Sequence, residues 1–339
     1  AEEIAEETQQ IEEIIAEEVE EATVLEFTQK GYLRRSSPRS YQRRQAKQEE
    51  AYDGILEETE DTVMQVETAL TTQELLALTQ DGKAYTVTIN DIPVASRQSR
   101  GVPLVSLLPD SVPSTPGAIV AQLVLTPKAL EKDLVMVTRL GKIKRLPLKE
   151  FTNLTGRGLT ALKLKQGDEL SHITLAKTGD QLLLGTSGGR ILRFQVDDEN
   201  LPLMGRNAQG PQGLRMRKQE TLAGCVAVSS EKDCVLMVSA MGYAKRTPAS
   251  AIQSGSRGGI GTQAFQFSHK SDFLVALLAG LPDTSIKIIT SADRSTQVIT
   301  GEIPRQGRSG ECQRVIKPKR GETITQVTMT ALADNEAED

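Results

Sequence analysis

Between Thr23 and Thr330 the apolar residues fall into short alternating runs rather than helical stripes. Alternation with period two is the pattern of a half-buried strand. Each run ends on Thr or Ser, a Gly follows three residues later, and a second strand-like run begins. The phrase spans Val24 to Arg35, Leu75 to Thr86, Leu134 to Arg145, Leu182 to Arg193, Val235 to Arg246 and Ile286 to Gln297. Its anchors are Gly31, Gly82, Gly141, Gly189, Gly242 and Asp293, spaced by 51, 59, 48, 53 and 51 residues. The chain is therefore a sixfold repeat of roughly 51 residues.

The glycine supplies the positive φ that a tight hairpin turn requires, and Asp tolerates that conformation better than most residues. Pro follows in each unit (Pro38, Pro93, Pro147, Pro202, Pro248, Pro304) and punctuates a strand end, because it cannot donate to a ladder. Gly- and Arg-rich loops come next, with Arg97, Arg100, Arg157, Arg206, Arg257 and Arg308, and then a new apolar strand. About four strands per unit, six times over, predict an all-β, propeller-like fold over residues 23–330. A helical stripe (Ile4, Ile11, Ile14, Ile15, Val19) occurs only in residues 1–22, beside ten Glu, and this stretch is expected to be an acidic linker or tail. Residues 331–339 are expected to be an acidic C-terminal tail. The absence of an initiator Met suggests a piece of a longer protein.

Charge changes the picture. The 339 residues carry 40 Lys plus Arg against 45 Asp plus Glu, a net of −5. Residues 1–22, 49–61 and 334–339 hold 21 acids and no base, which leaves a remainder of about +16. A basic body with acidic appendages restores nucleic acid as a partner class that the pI of 5.4 would argue against. Aromatics at 3% and no Trp argue against base-stacking platforms and against a WD40 array. Three Cys and two His lack the spacing of a disulfide framework or a metal site, so neither metal nor cofactor is expected. No apolar stretch is long enough to cross a bilayer as a helix, and no secretory signal is visible. A cytoplasmic location is expected.

Catalytic motifs are missing: there is no G-x-S-x-G, no H-E-x-x-H and no P-loop, and His172 and His269 stand without a partner constellation. The basic residues recur instead. One set follows the hairpin glycine: Arg34 and Arg35, Lys144 and Arg145, Arg193, Lys245 and Arg246. The other occupies the Gly-rich loops. Repeated around a ring, both sets are expected to form a curved positive track that neutralises phosphates.

The T-x-x-G-x-x-[KR]-[KR] phrase, the stretch D-I-P-V-A-S-R-Q-S-R-G-V-P from Asp91 and E-F-T-N-L-T-G-R-G-L from Glu150 resemble the C-terminal region of the DNA gyrase A subunit. The resemblance implies a six-bladed β-pinwheel whose blades exchange strands. It also implies a non-catalytic module that binds, bends or wraps duplex DNA for a type IIA topoisomerase. The implied partners are the catalytic core of the gyrase A polypeptide and an ATPase subunit in a heterotetramer, acting at the bacterial nucleoid, with the isolated domain monomeric. The family's Q-R-R-G-G-K-G box corresponds here to Gln42-Arg43-Arg44-Gln45-Ala46-Lys47-Gln48, which keeps the bases and loses every glycine. A module that steers DNA without strong wrapping, as in the related topoisomerase IV, stays open, and so does a protein-interaction propeller. The DNA-contacting residues expected are Arg34, Arg35, Arg43, Arg44, Lys47, Arg100, Lys144, Arg145, Arg157, Arg193, Arg206, Lys245, Arg246 and Arg257.

Overall fold

The computed structural model describes residues 20–51, 57–58, 61–96, 99–115 and 117–330. Of the expected linker 1–22, residues 1–19 lie outside the described residues and Ala22 already begins the first strand; the expected tail 331–339 lies outside them too. Six antiparallel sheets are present, one for each repeat, and they are the blades of a ring. In the first blade the order from the inside outward is Val63–Leu70, Ala22–Thr28, Tyr32–Ser36 and Val102–Pro103. The last of these belongs to the second repeat. The same exchange recurs: Leu159–Thr160 completes the second blade, Thr262–Gln263 the fourth and Gln313–Arg314 the fifth. In the third blade the exchanged strand is reduced to a single bridge between Lys142 and Gln212. The sixth blade takes Glu57–Glu58 from the first repeat, so strand exchange closes the circle. The innermost strands touch in the order one to six and back to one.

Local chemistry explains the hairpins. All five anchor glycines have positive φ, and Asp293 takes the same conformation with φ 56°. At Gly242 a side chain is also barred by contact, because a Cβ would sit 2.1 Å from the carbonyl oxygen of Ile316 in the exchanged segment. The core lies between blades rather than in one central mass. Leu25 and Phe27 pack on Leu75 and Tyr85 across the seam of blades one and two. Val135 and Ile143 meet Leu184 and Phe194 between three and four. The hairpin strands between two blades bury one face against each, which is why runs such as Gln181–Thr186 are buried throughout.

Among the described residues the longest departure from the strand pattern is a helix, beside short helical turns such as Pro127–Leu130. The glycine-free box lies inside an α-helix, α1, Pro38–Ala51. Gln, Arg, Ala, Lys and Glu are strong helix formers, and no glycine interrupts them. The Ser37 hydroxyl caps the helix by accepting from the Ser40 N–H at 3.3 Å, and Pro38 holds the first helical position. Arg44 forms an ion pair with the buried Glu26 and donates to the Ser36 hydroxyl at 3.1 Å, which fixes the helix to the first blade.

Candidate nucleic-acid interface

The basic pairs that follow each hairpin are structural, which corrects the expectation placed on them. Lys144 and Lys245 are fully buried, and Arg35, Arg145 and Arg193 nearly so. Arg35 donates to the carbonyls of Ile89, Asn90 and Ile92 at 2.9–3.0 Å, bolting the first blade to the second repeat. Arg145 binds Asp133 at 2.7 Å and the Leu201 carbonyl at 3.1 Å. Arg193 reaches Gln181 and Glu231, and the half-buried Arg246 donates to the carbonyls of Ile303 and Gly301. The residue before several of these holds a Gly-rich loop. Arg34 donates to the Ser99 carbonyl. Lys144 donates to Ala161 and Arg206 at 2.6 Å, and Lys245 to Gly307, Arg308 and Gly310. Burial lowers the Lys144 ammonium to about 8, against the opposing pull of Glu150. A cation enclosed by carbonyls is not presented to phosphate. Arg44, paired with Glu26, is likewise turned inward.

The loops held in this way carry exposed arginines. Arg100, Arg157 and Arg206 are exposed, and Arg206 lies 3.1 Å from Glu150. Arg257 is half-buried and donates to the Gln212 carbonyl at 3.1 Å and to that of Asn200. On α1, Arg39, Arg43 and Lys47 are exposed at spacings of four, a stripe along one face. Gln42 and Ala46 flank it, Gln45 is half-buried, and the side chain of Gln48 lies outside the described residues, as does Arg97.

The structure adds a second basic series that the sequence pattern does not single out. After the exchanged strands the chain runs from the hairpin turn of one blade to the turn of the next, and the four stretches between turns two and six make a belt along that face of the ring. Ala161 and Leu162 donate to the Gly82 carbonyl, and a few residues on, Asp168 accepts from the Leu140 N–H. Leu214 donates to Gly141 and Ser187 to Thr221, Phe265 to Gly189 and Ala240 to Phe273, Ile316 to Gly242 and Ser291 to Thr323. An acid closes each of the stretches that meet turns three to six. Asp272 accepts from Ser239 at 2.7 Å and from the Met241 N–H, while Glu220 and Glu322 pair with the buried Arg190 and Arg294. The hydrogen bonds from Arg294 hold the Glu322 carboxyl well below the usual carboxylate range. Between the residues tied to the turns, bases project: Lys163 and Lys165, then Arg215, Arg217 and Lys218, then Lys270, then Lys317, Lys319 and Arg320, all exposed. The closing acids lie about 27–31 residues after the anchor glycine of the turn they meet, a spacing that the sequence carries once its repeats are aligned.

Between the third turn and the next stretch of belt lies a cleft of about 480 Å³ lined by Arg139, Leu140, Gln212, Arg215, Met216 and Arg217, with the carboxylate of Glu220 and with Thr221 completing it. Arg139 is tied to Glu169 at 3.2 Å and to the Gly167 carbonyl. Among the described residues no group of metal-binding side chains is found, and no helix is long and apolar enough to cross a membrane.

Six blades that exchange strands between neighbouring repeats, and a basic outer surface, define a β-pinwheel. The chain belongs to the family described as DNA gyrase C-terminal domain, beta-propeller, which it matches over residues 73–111, 132–177, 180–229 and 235–279, more than half its length. It is 28% identical over 309 residues to the DNA gyrase A subunit of Staphylococcus epidermidis (strain ATCC 12228 / FDA PCI 1200), covering 91% of this chain and 34% of that protein. It is 30% identical over 320 residues to the DNA gyrase A subunit of Mycolicibacterium smegmatis (strain ATCC 700084 / mc(2)155), covering 94% and 37%. The chain thus spans about a third of the length of these relatives. Its fold resembles the crystal structure of the C-terminal domain of DNA topoisomerase IV (TM-score 0.75, 18% identity, 92% of this chain and 94% of that one). It also resembles the structure of the DNA gyrase A C-terminal domain (TM-score 0.65, 20% identity, 92% and 100%). The expected six-bladed all-β fold and the family are borne out.

Proposed function

We propose that this chain is the non-catalytic DNA-binding and DNA-bending module of a type IIA topoisomerase of the gyrase kind, carried on its A-type polypeptide. The observation that carries the reading is a ring of this family whose exposed bases repeat from blade to blade, on the Gly-rich loops and on the belt. Phosphate contacts of this sort fix DNA on a surface without reading its sequence. Smooth bending of a 20–30 bp stretch by 40–90° costs about 1–6 kcal/mol, which several Arg and Lys contacts can offset. In this reading Arg43, Lys47, Arg100, Arg157, Arg206 and Arg257 meet DNA, while the buried pairs hold the loops in place.

The catalytic core of the A-type polypeptide and an ATPase subunit would act as partners in a heterotetramer in the bacterial cytoplasm, with the breakage chemistry and any cofactor on their side. The test is ligation of nicked circular DNA in the presence of the chain. A linking-number shift supports wrapping. Binding with no shift restricts the role to bending, and no salt-dependent binding to duplex DNA would remove the proposal.

A further inference from the structure

Four loop arginines occupy one place in the repeat. Arg157, Arg206, Arg257 and Arg308 each lie 15–17 residues after the anchor of their own hairpin. Three of them reach back to the loop before their own. Arg308 donates to the Gln263 carbonyl at 3.1 Å. Arg257 donates to the carbonyls of Asn200 and Gln212. Arg206 meets a carboxylate instead. Its Nε donates to Glu150 at 3.1 Å, in the turn Leu148–Phe151 that follows the third hairpin. A second donor of the same guanidinium lies 3.4 Å from the Glu150 backbone carbonyl.

The two kinds of tie differ in what they leave for an outside anion. A guanidinium has five N–H donors, so one or two carbonyls orient it while its charge and its other donors stay available. A carboxylate cancels the charge as well. Among the described residues Glu150 is the one acid paired with an arginine of this set. The backbone of its loop is fixed independently, because the buried Lys144 holds the Arg206 carbonyl at 2.6 Å. Only the Arg206 side chain is left to change partner. The two side chains are 46% and 35% exposed, so that exchange needs no unfolding.

We infer that Glu150 is an intramolecular competitor for phosphate: in the DNA-free ring it holds Arg206 in an ion pair that DNA must displace to use that arginine, whereas Arg257 and Arg308 are presented ready. This rests on the DNA-binding reading above and adds to it a residue that sets how tightly the loop on blade three grips. The exchange also changes the salt response. An arginine that starts free releases counterions from the phosphate it meets. When Arg206 leaves Glu150, the freed carboxylate gathers a cation from solution and offsets that release. Arg206 therefore contributes little to the salt dependence of the intact chain.

The test measures the affinity of the whole chain for a fluorescent duplex across a salt series. Glu150→Gln is expected to tighten binding by up to about fivefold, the range of an exposed ion pair. It is also expected to steepen the slope of log affinity against log salt by up to about 0.9, the increment for one phosphate. In an Arg206→Gln background the same substitution is expected to lose most of both effects. That comparison matters because Glu150 also favours the charged form of Lys144, and an effect routed through Lys144 would persist without Arg206. Glu131→Gln removes an acid from the exposed Lys177 pair and is expected to leave affinity unchanged. Thermal midpoints of all variants serve as the folding control. Unchanged or weaker binding by Glu150→Gln, a gain of the same size in the Arg206→Gln background, or an equal gain from Glu131→Gln overturns the competitor and leaves the DNA-binding reading intact. No salt-dependent binding by the wild-type chain overturns both.

Discussion

The seam between blades three and four and the seam between six and one join the same kind of sheets by opposite chemistry. Across the first, Val135, Val137 and Ile143 meet Leu182, Leu184 and Phe194, all buried. Across the second, the register places Lys287, Gln297 and Thr328 on the face of blade six that points away from its apolar partners in blade five. Glu26, Arg34 and Thr68 stand on the corresponding face of blade one. Five seams contain an apolar cluster, and among the described residues the sixth has none. That seam is held by directional contacts: Thr328 donates to the Met64 carbonyl at 2.9 Å, Gln29 to Asp293 at 3.1 Å, and Glu57–Glu58 pair in register with Ser295 and Arg294. Burial lowers Lys287 below its ordinary value. Apolar seams depend on area and shape, whereas the closing seam buries only scattered apolar side chains such as Val24 and Ile289 and leans on polar contacts and one exchanged strand. The ring is therefore expected to open first where its two ends meet.

The largest test of this contrast removes apolar volume from a closed seam. Phe194→Ala is expected to cost about 3–5 kcal/mol, because Phe194 is fully buried and a cavity adds to the lost transfer energy. Urea unfolding measures it. A cost below about 1 kcal/mol would mean that the apolar seams are not what holds the blades together.

The next test is acid. His172, on the inner strand of blade three, is enclosed on most sides, and desolvation lowers it to about 4 from its ordinary 6.5. The unfolded chain therefore takes up a proton as pH falls through 6.5, and the folded chain does so only near 4. Stability is full above 6.5 and declines between 6.5 and 4, by up to about 3 kcal/mol in all. His172→Gln is expected to flatten this decline in urea midpoints measured across that window. An unchanged pH profile in the variant would assign the acid sensitivity to other groups.

The contrast sharpens at Glu26 and Arg44. Arg44→Met leaves the buried Glu26 unpaired and is expected to cost about 2 kcal/mol, less than a fully buried pair because Arg44 keeps some solvent contact. Its signature is local: amide exchange rises in Val63–Leu70 and Ile324–Thr330, the inner strands that meet at the closing seam, before it rises elsewhere. Glu26→Leu/Arg44→Met recovers most of the loss, since replacing both partners with apolar groups leaves no orphaned charge. Exchange that rises uniformly in the single variant would show that the ring unfolds as one unit with no weak end.

Much of this architecture is legible in the sequence. The anchor glycines and Asp293 mark every hairpin, and the alternating runs mark the long strands. The roles of the basic residues are not legible, because a repeated Lys or Arg in a strand reads the same whether it faces solvent or a cage of carbonyls. Lys144 and Arg145 occupy adjacent positions with opposite facing, yet both are buried, since blades cover both faces of a sheet in a ring. Alternation does not flag a charged residue as buried. The exposed bases of the belt lie in irregular segments after two-residue strands, where no periodicity draws the eye. The location of the glycine-free box between two strands hides its helix.

That helix gives the smallest and most specific test. Fourteen residues anchored through Arg44 and capped by Ser37 replace what the family resemblance would lead one to expect as a glycine-rich loop. Ser37→Ala removes the cap and is expected to cost about 1 kcal/mol. Ala46→Gly costs about as much, since Gly is the poorer helix former by that amount and Ala46 is exposed, with no packing to lose. Neither change touches a base, so Arg39, Arg43 and Lys47 remain while their alignment on one face is loosened. Weaker DNA binding by Ala46→Gly at constant salt would mean that the helical stripe presents those bases as a set. Unchanged binding with a lowered thermal midpoint would mean that α1 serves the closing seam and that the belt carries the DNA contacts. The outcome distinguishes a helix that substitutes for the box from one that only latches the ring.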